Sequence, residues 1–167
     1  GSEMCIRDRI ITHYPKELEI GIQITKQEAW EDRNDTTTIR TPDVYREIIE
    51  HAAFEARESE YIDQKSGVST RMTITAMEQI LSSAERRAVM NNESESMLRI
   101  ADIYHMIPAL TGKLELVYEG EQEGAINVAK HIIGKAIDKT FKNYFPDPQS
   151  RNGSCLLYTS DAADDLW

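Results

Sequence analysis

The residues able to do chemistry in this chain are few, and their spacing excludes most reaction classes. The four histidines, His13, His51, His105 and His131, share no metal-ligand spacing, so each reads as surface or edge packing. There is no HExxH, no GxSxG and no cysteine placed as a nucleophile. Cys5 and Cys155 stand at opposite ends and make neither a metal pair nor a disulfide framework. Gly112-Lys113 suggests a phosphate loop, but that pattern needs Ser or Thr after the lysine and a glycine five positions before Gly112. Leu114 follows and Ile107 precedes, and Gly134-Lys135 fails in the same way.

One stretch survives this filter, GVSTRMT at 67–73. Gly67 ends a loop, Ser69 or Thr70 can cap the helix that follows, and Arg71 then falls in its first turn. A cation there opposes the helix dipole by about 0.3–1 kcal/mol and adds to the positive field of the free N–H groups. Two arrangements remove the conflict. An anion can bind at the helix start, where an arginine makes a good phosphate ligand. Alternatively, Arg71 pairs with one of the chain's many carboxylates.

The elements that must position these residues are mostly helical. IITHY at 10–14 reads as a short buried strand stopped by Pro15. Leu18, Ile22, Thr25 and Ala29 make a helical stripe within a helix over about 16–31, although Leu18, Ile20, Ile22 and Ile24 also alternate like a strand. NDTTTIR is a polar loop. Thr41 then caps a helix with Pro42 at its first position and Asp43 in its first turn. Val44, Ile48, Ile49, Ala52, Ala53 and Ala56 face one way, and the DQKSG segment breaks this helix near Asp63.

The next helix spans about Thr70 to Met90, with Met72, Ile74, Met77, Ile80, Leu81, Ala84 and Ala88 inside. NNESES reads as a loop, and ADIYHMIPAL as a short helix that tolerates Pro108 only near its end. LTGKLELVYEG is irregular, with LELVY extended. The last helix runs from about Glu121 to Tyr144 with Ala125, Val128, Ala129, Ile132, Ile133, Ala136, Ile137 and Phe141 as its apolar face. Glu121 and Glu123 at its start, with Lys135, Lys139 and Lys142 toward its end, complement the dipole. Pro146 and Pro148 close it. The fold class is mainly α: four substantial helices and a short one, with a strand remnant at the N-terminal edge.

The 167 residues suffice for one domain. A composition of 40% apolar and 7% aromatic residues suits a helical chain better than a strand sandwich. No apolar run approaches the eighteen or so residues that span a bilayer, so no membrane role is expected and the location is read as cytoplasmic. A net charge of −10 argues against nucleic acid as a partner. Arg86, Arg87 and Arg99 come nearest to a basic stripe and are expected to be balanced by Glu78, Glu85, Glu93 and Glu95.

The two ends match nothing between them. Back-translated, GSEMCIRDR at 1–9 and SCLLYTSDAADDLW at 154–167 resemble the adapter used to tag DNA for short-read sequencing, one on each strand. They are expected to lie outside the fold, with 149–167 a disordered tail. Without them the protein loses both cysteines and the charges of Asp161, Asp164 and Asp165. What remains is expected to be a fragment of an interrupted reading frame.

GVSTRMTITAMEQILSSAERRA followed by RIADIYHMIPAL resembles the lid subdomain of AAA+ ATPases of the MoxR and magnesium-chelatase ATPase-subunit branch. LTGKLELVYEGEQEGA resembles the same group, and RIITHYPKELEIGIQIT resembles its exit from the ATPase core, so the likeness covers roughly 10–148. It implies that 10–36 end the core and that 37–148 form the helical lid. It maps a Gly-x-Ser-x-Arg motif onto Gly67, Ser69 and Arg71, and makes Arg71 the sensor-two residue on the γ-phosphate of ATP. By the same resemblance the full-length protein uses ATP and Mg, forms a homo-oligomeric ring of six subunits, and remodels a protein client. The Walker A lysine, Walker B acid, sensor-one residue and arginine finger would lie before Ile10, so this chain alone is expected to be inactive. The chelatase label denotes an ATPase homology, and nothing in the residues recognises a tetrapyrrole. The alternative is an acidic helical interaction domain with no nucleotide role.

Overall fold

The computed structural model describes residues 13–145 apart from 32, 34–36 and 64. The adapter-like ends, residues 10–12 of the strand expected at 10–14 and the prolines after Tyr144 lie outside the described residues, while His13 and Tyr14 of that stretch are exposed and carry no strand. The chain is mainly helical, with a two-stranded parallel sheet. Among the described residues no helix is long and apolar enough to cross a membrane.

Helix α1, Leu18–Glu28, is shorter at both ends than its stripe suggested, because Glu17 and Ala29 adopt extended backbone. Gly21, Thr25 and Ala29 face inward. Helix α2, Asp43–Glu58, starts later than expected. Pro42 takes the N-cap position with ψ 144°, and neither it nor Thr41 supplies a side-chain cap. Arg46 organises that end instead, reaching the Thr41 carbonyl at 3.2 Å, Asp43 at 2.8 Å and Glu31 at 2.6 Å. The helix ends at Glu58 rather than near Asp63, where Ser59 turns extended.

Helix α3, Thr70–Asn91, buries Met72, Met77, Ile80, Leu81, Ala84 and Ala88 as the period of 3.6 requires. Asn92 stops it at φ 55°, a left-handed conformation that asparagine tolerates, and its N–H returns to the Ala88 and Val89 carbonyls.

Strands β1, Thr38–Arg40, and β2, Glu95–Met97, occupy segments expected to be loops, and pair in parallel with Ile39 opposite Ser96. A 3-10 helix over Ile100–Met106 then runs into helix α4, Ile107–Thr111. Pro108 therefore lies in the first turn of α4 rather than at the end of a helix, where its missing N–H costs nothing.

The last expected helix is two. Helix α5, Tyr118–Glu123, and helix α6, Ala125–Tyr144, are separated by Gly124 at φ 89°. Tyr118 is thus helical, and of the LELVY stretch only Leu116 makes a strand-like bridge, to Ile62. Glu121 and Glu123 belong to α5, so the first turn of α6 carries no acid, while Lys142 does sit in its last turn.

Helix α2 lies along α6, α1 crosses α2 and α3, and the 3-10 helix and α4 cover α3. Between them Ile48, Ile49, Met72, Met77, Ile80, Ile103, Met106, Leu110, Ile132 and Ile133 form one buried core. Each such side chain contributes about 1.5–3 kcal/mol on burial, which holds the exposed start of α3 in place.

Candidate functional site

The start of α3 is built from Gly67, Ser69 and Arg71. Gly67 takes φ 71°, and a β-carbon there would approach the Tyr14 hydroxyl to 2.7 Å, so both conformation and space call for glycine. Val68 is buried and anchors the turn. Ser69, extended at φ −71° and ψ 146°, is the N-cap, and its hydroxyl accepts from the Arg71 N–H at 3.2 Å. No acidic residue occupies the first turn. The Arg71 side chain is exposed, and among the described residues its guanidinium meets no carboxylate. The helix end and its arginine form one cationic surface facing solvent.

A second arginine, not singled out from the sequence, lies behind this turn. Arg57, near the end of α2, donates from Nε to the Val68 carbonyl at 3.3 Å. Its guanidinium carbon stands 5.2 Å from the ring centres of both Tyr14 and Phe54. Both of its terminal nitrogens are buried without a hydrogen-bond partner among the described residues. Burial lowers its pKa, against the pull of Glu50 and Tyr14. From sequence Arg57 looks like an ordinary cation in a last helical turn, and only the return of Val68 and Tyr14 marks it.

Beneath the same turn three helices are joined by a polar chain. The Thr25 hydroxyl lies 2.6 Å from Glu50 Oε1 and 2.8 Å from the Thr73 hydroxyl, which reaches the Thr70 carbonyl at 2.9 Å. Glu50 is 1% exposed, and its Oε2 has no partner among the described residues. A β-carbon at Gly21 would collide with that oxygen. Burial pushes the Glu50 pKa up, opposed by the threonine hydrogen bonds and Arg57. The Thr25 hydroxyl donates to Glu50 Oε1 and the Thr73 hydroxyl to the Thr70 carbonyl, so the carboxyl is tied into the chain as an acceptor.

The other sequence candidates scatter. Gly112 is the C-cap of α4, where carbonyls rather than N–H groups are free, and Gly134-Lys135 lies inside α6, so neither can cradle a phosphate. No group of three metal-binding side chains occurs among the described residues. The basic residues are balanced otherwise than expected. Arg87 holds Asp102 through two contacts at 2.6 and 2.8 Å rather than a neighbouring glutamate. Glu85 pairs with Arg33 at 3.7 Å, and Glu95 with Arg40. Arg86 has no ion pair among the described residues.

No protein-family profile, curated protein or solved structure matches this chain.

Proposed function

We propose that this chain is the lid region of a AAA+ ATPase of the MoxR and magnesium-chelatase-like branch, in which ATP binding and hydrolysis drive remodelling of a partner protein. The observation that carries the reading is the start of α3: Ser69 caps the helix, and Arg71 stands exposed in a first turn that holds no acid. An arginine kept there without a carboxylate suits a phosphate ligand. ATP with Mg would supply the phosphoryl group and its charge. Arg71 binds and orients that charge from the lid side, so that lid position follows nucleotide state.

The residues present fit one phosphate contact and no more. Among the described residues no loop can wrap the remaining phosphates, and no carboxylate cluster can hold Mg. By the resemblance, the Walker residues, sensor one and arginine finger belong to the ATPase core of the full-length protein, which would assemble as a cytoplasmic ring of about six subunits.

The test is Arg71→Ala in a full-length protein recovered by reading the gene outward from codons 40–140. The expected results are a Walker A and B pair upstream, and a loss of ATP turnover and nucleotide-dependent assembly in the variant. Unchanged turnover and assembly would remove Arg71 from the nucleotide. Residues 10–152 alone are expected to turn over no ATP, and turnover above a contaminant control would contradict the division of labour.

A further inference from the structure

The side of α3 turned away from the core carries a groove that the nucleotide reading does not use. Gln79, Ser82, Ser83, Arg86 and Met90 recur at helical spacing along it, roughly 17 Å from end to end at 1.5 Å per residue. Three cavities of about 340, 290 and 510 Å3 follow that face, and Arg86 lines all three. One end is apolar and open to solvent: Trp30 is 64%, Val89 60% and Met90 76% exposed. The other end is lined by Gln79, Ser83, His105 and Pro108.

Among the described residues the charges along the groove are not balanced. Its two acids are already taken, Glu85 by Arg33 and Asp102 by Arg87. Arg86 is exposed and has no carboxylate among the described residues. In a protein of net charge −10 this leaves a local positive centre next to an uncovered apolar wall.

We infer that this groove docks a segment of a partner protein that carries an acidic side chain for Arg86 beside an apolar one for the Trp30–Met90 wall. Charge complementarity selects that chemistry. A carboxylate meets the unbalanced guanidinium in bidentate fashion, and an aliphatic side chain covers the indole and thioether. Nucleic acid fits less well, because among the described residues a single unpaired arginine beside an apolar wall offers no run of cations to follow a phosphate backbone. The inference does not depend on Arg71.

Trp30 is the reporter. In a Trp167→Phe background it is the sole tryptophan, so its fluorescence reads occupation of the groove directly. The probe is a blocked amphipathic peptide of about fourteen residues, leucine on one face and glutamate along its flank, with a matched peptide bearing lysine for every glutamate. The glutamate peptide is expected to give a saturable change that weakens roughly tenfold or more in Arg86→Glu, in Met90→Asp and in the lysine peptide. Circular dichroism of both variants checks folding, and since both side chains are exposed, neither change is expected to disturb it. Equal binding of the two peptides, or no effect of Arg86→Glu, overturns the inference. So does binding of a single-stranded oligonucleotide in place of the peptide. Sedimentation of the protein alone, if it shows self-association that Arg86→Glu abolishes, reassigns the groove to a second copy.

Discussion

The Thr25 hydroxyl lies 2.6 Å from the carboxyl of Glu50, inside a core where Glu50 is 1% exposed. This contact and its continuation to Thr73 join α1, α2 and α3 directly under the turn that presents Arg71. The joint is polar and buried, so its proton inventory matters.

Glu50 titrates with a pKa above its ordinary value, with burial as the main cause. A raised pKa contributes stability that is fully present below about pH 4.5, the unfolded value, and is lost as pH rises through the folded one. Glu50→Gln keeps an acceptor for the Thr25 hydroxyl and cannot ionise. The variant is therefore expected to match the parent near pH 4 and to exceed it by about 1–2 kcal/mol near pH 8. Urea unfolding of both proteins across that range measures the difference. His51, whose pKa is lowered mainly by burial, titrates in both and cancels. A difference that does not grow with pH would mean that Glu50 ionises freely.

Asp102 behaves oppositely. Burial works to raise its pKa, but the Arg87 contacts, the Arg99 N–H and the Ser83 hydroxyl outweigh it, and the carboxyl is held below its usual range. Its stabilisation is present above about pH 3.8, the unfolded value, and disappears as pH falls through the folded one. Asp102→Ala leaves the largely buried Arg87 without its counter-charge and frees the start of the 3-10 helix. A loss of about 2–4 kcal/mol at pH 7 is expected, read by thermal or urea unfolding. A loss below about 0.5 kcal/mol would mean that water replaces the pair.

Arg71 is expected to cost stability rather than add it. In the isolated chain Arg71→Ala should leave stability unchanged or raise it by up to about 1 kcal/mol, as the clash with the helix dipole disappears. The measurement is the urea midpoint at low salt. Destabilisation by more than about 1 kcal/mol would reveal a structural partner for the guanidinium.

Gly124 separates α5 from α6 at φ 89°, and a β-carbon there meets nothing within 4 Å. The cost of Gly124→Ala is then conformational alone, about 1–2 kcal/mol. A neutral substitution would mean that the junction can straighten into one helix.

Much of this was legible locally. Met72 to Ala88 recur with the period of a helix, and the expected span of α3 ends within a residue of the observed one. A cap at Ser69 or Thr70 was also readable, because a cap is decided by neighbours two or three positions away, and the structure gives it to Ser69. The sequence spoke for one helix at 121–144, since the apolar stripe of α6 extends back to Ala125, next to good helix formers. Only the positive φ of Gly124 separates them.

What the sequence by itself determined is therefore a set of amphipathic helices and one arginine in an unfavourable first turn. Tertiary structure alone decided the rest. β1 and β2 lie far apart in the chain and have no alternation to announce them, and their pairing exists because α2 and α3 bring Ile39 and Ser96 side by side. Thr25, Glu50 and Thr73 are separately ordinary, and become a network only when three helices enclose them. Arg86 and Arg87 are adjacent in sequence and opposite in fate. The twist of a helix turns Arg87 toward Asp102 and leaves Arg86 facing an open groove.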